Sequence, residues 1–124
     1  MTSKILLVDD EPNILLSLQF LMKRAGYQVT TACDGEMALR QVAAEQPDLM
    51  LLDINMPKLN GYDVCERIRA NAAWQTIRIV LLTAKGREVE KEKGLALGAD
   101  DYITKPFSNQ ELIDKVQALL SQQR

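Results

Sequence analysis

The sequence contains no histidine among its 124 residues. This absence excludes Ser-His-Asp and Cys-His catalysis, histidine-ligated zinc and phosphohistidine chemistry on this chain. The two cysteines, Cys33 and Cys65, form no C-x-x-C motif and fit a reducing compartment better than a disulfide scaffold. No apolar run approaches the roughly 20 residues of a membrane span, and the first residues do not form a signal peptide. We therefore expect a cytoplasmic protein without a membrane partner.

A strong net charge is also missing. The sequence has 15 lysines and arginines against 17 acidic residues, a net charge of −2. It therefore lacks the basic surface that direct nucleic acid binding requires. Hydrophobic residues make up 47% of the chain and charged residues 26%, which is typical of a globular protein. We expect one domain with a sizeable core over residues 1–124.

Short apolar runs alternate with segments that have one apolar helical face. The predicted strands are 4–8, 28–32, 48–52, 77–82 and 100–104. The predicted helices are 12–25, 35–45, 61–71, 87–97 and 109–121. The fourth helix is the weakest, because it is mostly charged and contains Gly94. Regular alternation predicts the α/β class, a (βα)5 doubly wound fold with a five-stranded parallel sheet.

Polar residues follow four of these strands at the point where each strand ends. Asp9 and Asp10 follow the first strand, Asp53 the third, Thr83 the fourth and Lys105 the fifth. Ligands of open parallel sheets bind beyond the carboxyl ends of the strands. Crowded carboxylates repel one another unless a cation is shared, and oxygen ligands suit Mg²⁺. The pattern thus predicts a metal site that includes a lysine.

Each residue alone has an ordinary explanation. Asp10 could cap the following helix, and Asp53 could be a buried polar group with satisfied hydrogen bonds. Thr83 is a common strand residue, and Lys105 could be a surface charge. Their arrival at one edge of the sheet favours a common site over four independent coincidences.

Four stretches of the sequence carry a resemblance to a known family. "ILLVDDEP", "LLDINMPKLNGYDV", "IVLLTAK" and "GADDYITKPF" occur in this order, and the resemblance that they carry extends over essentially the whole chain. With them the sequence resembles the receiver domain of two-component response regulators. The resemblance implies a single receiver domain over residues 1–124 and a flavodoxin-like strand order 2-1-3-4-5.

The resemblance also implies a role for each acidic residue. Asp53 resembles the phosphoacceptor and Asp10 a direct ligand of Mg²⁺, for which Mn²⁺ could substitute. Asp9 resembles the partner ligand that acts partly through water, and Asn55 would supply its backbone carbonyl to the metal.

Further roles follow from the same resemblance. Thr83 and Lys105 would contact the phosphoryl oxygens, and the peptide bond between Lys105 and Pro106 would be cis. After phosphorylation the Thr83 hydroxyl would move toward the phosphoryl group and Tyr102 would turn inward. Ala84 is small enough to leave the space for this movement.

The resemblance implies partners rather than a metabolite. The donor would be a sensor histidine kinase or a phosphotransfer protein, and the surface of helix 4, strand 5 and helix 5 would control an unknown output. The domain would catalyse only its own phosphorylation and slow hydrolysis. Lys91, Asp101 and Lys115 resemble positions that pair receivers into dimers, but Ala96 stands where an acid is usual. A phosphorylation-dependent homodimer and ordinary surface charges therefore both stay open.

Two other functions compete with this interpretation. A phosphatase of the haloacid-dehalogenase type also combines Asp, Thr, Lys and Mg²⁺, but it would carry a second acid where Asn55 stands. A degenerate receiver would bind partners without phosphorylation, although every chemical residue is present. A further hypothesis assigns Lys85, two residues after Thr83, to tuning the hydrolysis of the phosphoryl group.

Overall fold

The computed structural model describes residues 2–56, 58–84 and 87–122. Lys85, and with it the hypothesis on hydrolysis, lies outside the described residues. Five strands are present in this part of the chain: β1 (Lys4–Val8), β2 (Gln28–Ala32), β3 (Leu49–Asp53), β4 (Arg78–Ala84) and β5 (Asp101–Lys105). Five α-helices alternate with them: α1 (Pro12–Arg24), α2 (Gly35–Glu45), α3 (Gly61–Ala70), α4 (Glu88–Ala96) and α5 (Asn109–Ser121).

The strands form one parallel sheet in the order β2-β1-β3-β4-β5. The predicted fold class and strand order are therefore confirmed. The order places β1 beside β3, with Val8 opposite Leu52, so that the residues after β1 and at the end of β3 are neighbours. On the other side, β3 pairs with β4, and Asp53 lies opposite Leu82.

Apolar side chains cover both faces of the sheet. One cluster packs the sheet face that carries Leu6 and Leu52 against α2 and α3, and Leu97 at the end of α4 packs against this cluster. The other joins the face that carries Leu7 and Leu51 to α1 and α5. Burial on both faces explains why β1 and β3 are continuous apolar runs rather than alternating ones. The central strands β1, β3 and β4 are almost entirely buried, and they support the polar residues at the carboxyl edge of the sheet.

Helix α4 approaches the sheet through a glycine. Gly94 is the only residue of α4 that is buried, and a Cβ there would lie 2.0 Å from Leu81 Cδ1 of β4. The glycine that weakens the helical pattern is therefore the residue that permits close packing on β4.

Three predicted strands begin and end one or two residues too early. Strands β3, β4 and β5 extend to Asp53, Ala84 and Lys105. Asp53 and Lys105 are thus the last residues of their strands, and Thr83 lies inside β4, rather than following the strands as predicted. The strand hydrogen bonds therefore hold the backbone of these residues directly.

Candidate functional site

Three carboxylates converge at the carboxyl edge of the sheet. One oxygen from each of Asp9, Asp10 and Asp53 lies within 4.8 Å of the others. Asp9 is fully buried and Asp53 is 5% exposed, whereas Asp10 is exposed. The neighbouring positions of β1 and β3 account for this arrangement, as the sequence predicted for adjacent strands.

A lysine from the edge strand points into the acidic cluster. Lys105 Nζ donates a hydrogen bond to Asp9 Oδ2 at 3.0 Å and to Asp53 Oδ1 at 3.3 Å. Burial alone lowers the pKa of Lys105, but its hydrogen bonds and ion pairs with the two aspartates raise it by more. The ammonium therefore stays charged and bridges β1, β3 and β5. The peptide bond between Lys105 and Pro106 is cis.

Asp53 has the most perturbed carboxyl group in the site. Its pKa is raised from 3.8 to about 6, first by burial and second by the charge of Asp9. Lys105 and the backbone N–H of Asn55 act in the opposite direction and lower the pKa of Asp53. Asn55 itself is exposed. A buried acid with a pKa near 6 is ionised at neutral pH but holds its charge at a cost in free energy.

Asp9 and Asp10 differ in their contacts. Asp9 Oδ1 accepts a hydrogen bond from the Glu11 N–H at 2.9 Å, and Glu11 is the N-cap of α1 without a side-chain cap. The alternative that Asp10 caps this helix is therefore wrong. Its carboxylate instead faces solvent beside the other two acids.

Thr83 carries an orphaned hydroxyl. The residue is 1% exposed, and its Oγ1 finds no hydrogen-bond partner in the part of the chain that the structure describes. Buried polar atoms of this kind are rare and frequently belong to functional sites. Next to it in sequence, Ala84 is exposed at the end of β4.

Tyr102 does not belong to the acidic cluster. It lies opposite Leu81, two register steps before Thr83 and Thr104. Its half-buried ring lies between Lys91 Nζ, at 4.8 Å from the ring centroid, and Lys115 Nζ, at 5.6 Å. The structure thus places the predicted switch residue on the surface formed by α4, β5 and α5.

Sequence reasoning missed two exposed apolar side chains on α1, the helix that follows Asp9 and Asp10. Leu16 and Phe20 on α1 are 68% and 67% exposed, and a groove next to α1 is lined by Ile14, Phe107 and the site's own Lys105. Leu16 and Phe20 lie off the core stripe of the helix, and this was the signal available in the sequence.

The donor set fits a hard divalent cation. Among the residues that the structure describes, three clustered carboxylates oppose the ammonium group of Lys105, and their oxygens are the ligands that Mg²⁺ prefers. The partnerless hydroxyl of Thr83 adds a donor for an anionic group at the same edge. These observations support a cation and an oxyanion as neighbours.

Other described features bear on the earlier expectations. Cys33 and Cys65 are both free thiols. Within residues 2–56, 58–84 and 87–122, every helix is too short or too polar to cross a lipid bilayer.

Comparisons of this chain with known proteins all point to the same family. The family described as response regulator receiver domain matches residues 5–117. The chain is 49% identical over 120 residues to the alkaline phosphatase synthesis transcriptional regulatory protein PhoP of Bacillus subtilis, covering 97% of this chain and 49% of that protein. The chain therefore spans about half the length of this curated relative.

Solved structures resemble this chain over nearly its whole length. The receiver domain of sensor histidine kinase PA1611 from Pseudomonas aeruginosa PAO1, solved with magnesium in its active site cleft, is 32% identical with a TM-score of 0.90 and covers 98% of this chain and 100% of its own. Chemotaxis protein CheY4 of Vibrio cholerae is 30% identical with a TM-score of 0.90, over 96% and 99% of the two chains. The chain belongs to the response regulator receiver domain family.

Proposed function

We propose that this receiver accepts a phosphoryl group from a phosphohistidine onto Asp53 in a Mg²⁺-dependent reaction. The observation that carries the proposal is the buried Asp53 carboxylate, whose oxygen lies 3.3 Å from Lys105 Nζ and beside two further acids. An aspartate so placed is suited to act as a nucleophile and form an acyl phosphate.

In the proposed reaction an Asp53 carboxylate oxygen attacks the phosphorus of the donor. The new O–P bond forms as the N–P bond breaks, and the bond electrons return to the imidazole nitrogen, which takes a proton from solvent. A pKa near 6 supports this role, because it makes the carboxylate more basic than a solvated one while it stays ionised at pH 7.

Lys105 and Thr83 would stabilise the transferring group. Phosphoryl transfer depends mainly on alignment and on neutralisation of the equatorial oxygens. The Lys105 ammonium is already held at the acidic cluster, and the Thr83 hydroxyl has a free hydrogen to donate. Such groups require little reorganisation when charge develops.

The residues that would hold the metal are Asp9, Asp10, Asp53 and the backbone carbonyl of Asn55. When bound, Mg²⁺ supplies positive charge to the phosphoryl oxygens, and Mn²⁺ has the same preference for oxygen. Asp9 is fixed by Glu11 and Lys105, so it would hold its geometry, whereas exposed Asp10 is free to exchange water.

The patch of Leu16 and Phe20 supports a docking surface for the donor. Receivers interact with histidine kinases and output domains, and a donor has to bring its imidazole to Asp53. Leu16 and Phe20 are exposed on α1, and Ile14 of the same helix lines a groove together with Lys105, so this helix offers apolar contact area to a donor. A sensor kinase or a phosphotransfer protein would occupy this face, and the reaction would take place in the cytoplasm.

The output would depend on Thr83, Ala84 and Tyr102. A phosphoryl group on Asp53 draws the Thr83 hydroxyl, exposed Ala84 leaves room, and the Tyr102 ring follows inward. The surface of α4, β5 and α5 would then engage an output protein or domain, or a second copy of the receiver. In this proposal residues 1–124 act as one domain, a signalling unit that turns over no external metabolite.

Incubation with acetyl phosphate and Mg²⁺, followed by phosphate-affinity electrophoresis, tests the proposal. We expect a retarded band for the wild type and for the control Asp114→Asn, whose acid is exposed on α5. Asp53→Asn and addition of EDTA should abolish the band. A wild type without a retarded band would instead identify a degenerate receiver. The phosphatase alternative has no support, because residues 5–117 match the response regulator receiver domain family.

A further inference from the structure

The ring of Tyr102 contacts ammonium groups from two different helices. Lys91 of α4 places Nζ 4.8 Å from the ring centroid, and Lys115 of α5 places Nζ at 5.6 Å. Both distances lie within the range of cation–π attraction. The side chain of β5 is therefore held from both neighbouring helices.

These two lysines are well positioned for this contact. The Lys91 side chain is only 13% exposed, and its Nζ pairs with Glu88 at 3.1 Å. Lys115 Nζ also donates to the Tyr102 carbonyl at 2.9 Å and lies 3.4 Å from Asp101 Oδ1. Partial desolvation strengthens cation–π attraction. Because Lys115 also binds the backbone, Lys91 is the residue whose charge acts more selectively on the ring.

Tyr102 and Thr83 lie close together in the sheet, on the neighbouring strands β5 and β4. Leu81 lies opposite Tyr102, and Thr83 lies two residues further along the same face of β4. The inference requires that the ring loses its 4.8 Å contact with the Lys91 ammonium when it moves toward the Thr83 hydroxyl. A contact made in only one of two arrangements shifts the equilibrium toward that arrangement.

We propose that Lys91 and Lys115 form an ammonium clamp that holds the Tyr102 ring away from Thr83 and so opposes the response to phosphorylation. The inference rests on the proposed function and assigns to it a regulating pair of side chains. The clamp sets how much of the receiver responds in the absence of a phosphoryl group. Linkage is reciprocal, so loss of the clamp tightens binding of a phosphoryl mimic at Asp53 by the same factor.

Lys91→Gln tests the clamp, and the chain offers a matched control. Lys93 lies on the same helix and places Nζ 4.5 Å from the Tyr62 ring centroid. Lys93→Gln thus removes the same charge and the same kind of contact, but from a different tyrosine. Lys91→Arg keeps a cation over Tyr102 and should behave like the wild type.

The measurement is a beryllofluoride titration with Mg²⁺, followed by NMR of labelled tyrosine rings. The chain has three tyrosines, and Tyr102→Phe identifies the Tyr102 signal. We expect Lys91→Gln to bind beryllofluoride about 3- to 10-fold more tightly, the factor that one cation–π contact corresponds to. Its Tyr102 signal should also shift toward the bound position before any ligand is added. Lys93→Gln should show neither effect.

The outcomes separate the clamp from the proposed function. A wild-type Tyr102 signal that beryllofluoride does not move refutes the proposed switch and the clamp with it. A wild type that responds, with unchanged or weaker binding in Lys91→Gln, overturns the clamp alone. If thermal unfolding shows that Lys91→Gln is not folded, Lys115→Gln carries the same expectation of tighter binding.

Discussion

The strongest stability prediction concerns Asp53→Asn, which removes a buried charge but keeps the shape of the side chain. The pKa of Asp53 is raised from 3.8 to about 6, first by burial and then by the charge of Asp9. An acid whose pKa is raised in the folded state destabilises the fold at pH values above that pKa. Asn retains a carbonyl oxygen that can accept the hydrogen bond from the Asn55 N–H.

The magnitude follows from the shift. A difference of about two pKa units corresponds to about 3 kcal/mol at neutral pH. Loss of the contact with Lys105, whose ammonium keeps its bond to Asp9, reduces the gain. We therefore expect Asp53→Asn to be about 1–3 kcal/mol more stable than the wild type at pH 7.5 without divalent cations. For a chain of this length this corresponds to a rise in Tm of roughly 4–12 °C.

The stability difference between Asp53→Asn and the wild type should depend on pH. The penalty is fully present above the folded pKa, near pH 6, and disappears below the unfolded pKa, near pH 4, where both states are protonated. The stability gain of Asp53→Asn should therefore shrink as the pH falls from 6 to 4. Urea unfolding of both proteins across this range measures it. Asp114→Asn, at an exposed position, should change stability by less than about 0.5 kcal/mol. An Asp53→Asn protein that is less stable than the wild type at pH 7.5 would refute the reasoning.

Three further predictions concern the metal, the switch and the packing of α4. Millimolar Mg²⁺ should raise the Tm of the wild type by binding the folded state, and Asp10→Ala should largely remove this rise; an equal rise in both would contradict the metal assignment. Thr83→Val replaces a partnerless buried hydroxyl, so the free energy of unfolding should stay the same or rise by about 1 kcal/mol. In the same variant the NMR signal of the Tyr102 ring should no longer respond to beryllofluoride. Gly94→Ala places a Cβ 2.0 Å from Leu81 Cδ1 and should lower the free energy of unfolding by about 1–2 kcal/mol despite the better helix propensity of Ala; a stabilised variant would count against close packing of α4.

The sequence predicted the carboxyl-edge site because of a simple geometric rule. Parallel strands all present their carboxyl ends at one edge, so Asp9 and Asp53 could be expected to meet once β1 and β3 were neighbours. The periodicity located all five strands and all five α-helices but not the short 3-10 helix Ala72–Trp74, and it shifted both ends of three strands by one or two residues. That error had a consequence, since it placed Thr83 after β4 rather than inside it.

Other features depend on packing that no local pattern encodes. The exposure of Asp10 and the hydrogen bond from Glu11 to Asp9 arise from the exact turn between β1 and α1. Arg78 is 6% exposed at the start of β4 and donates through Nε to the Leu119 carbonyl at 3.1 Å, a contact across 41 residues of sequence. The two ammonium groups around Tyr102 come from different helices, so their convergence is a property of the folded chain.

The most direct test of the central claim is to locate the phosphoryl group. Treatment with acetyl phosphate and Mg²⁺, reduction with borohydride and peptide mass spectrometry would convert an aspartyl phosphate to homoserine at its own position. The account predicts homoserine at residue 53 in the wild type and at no position in Asp53→Asn. Homoserine at Asp9 or Asp10, or none at any position, would contradict it.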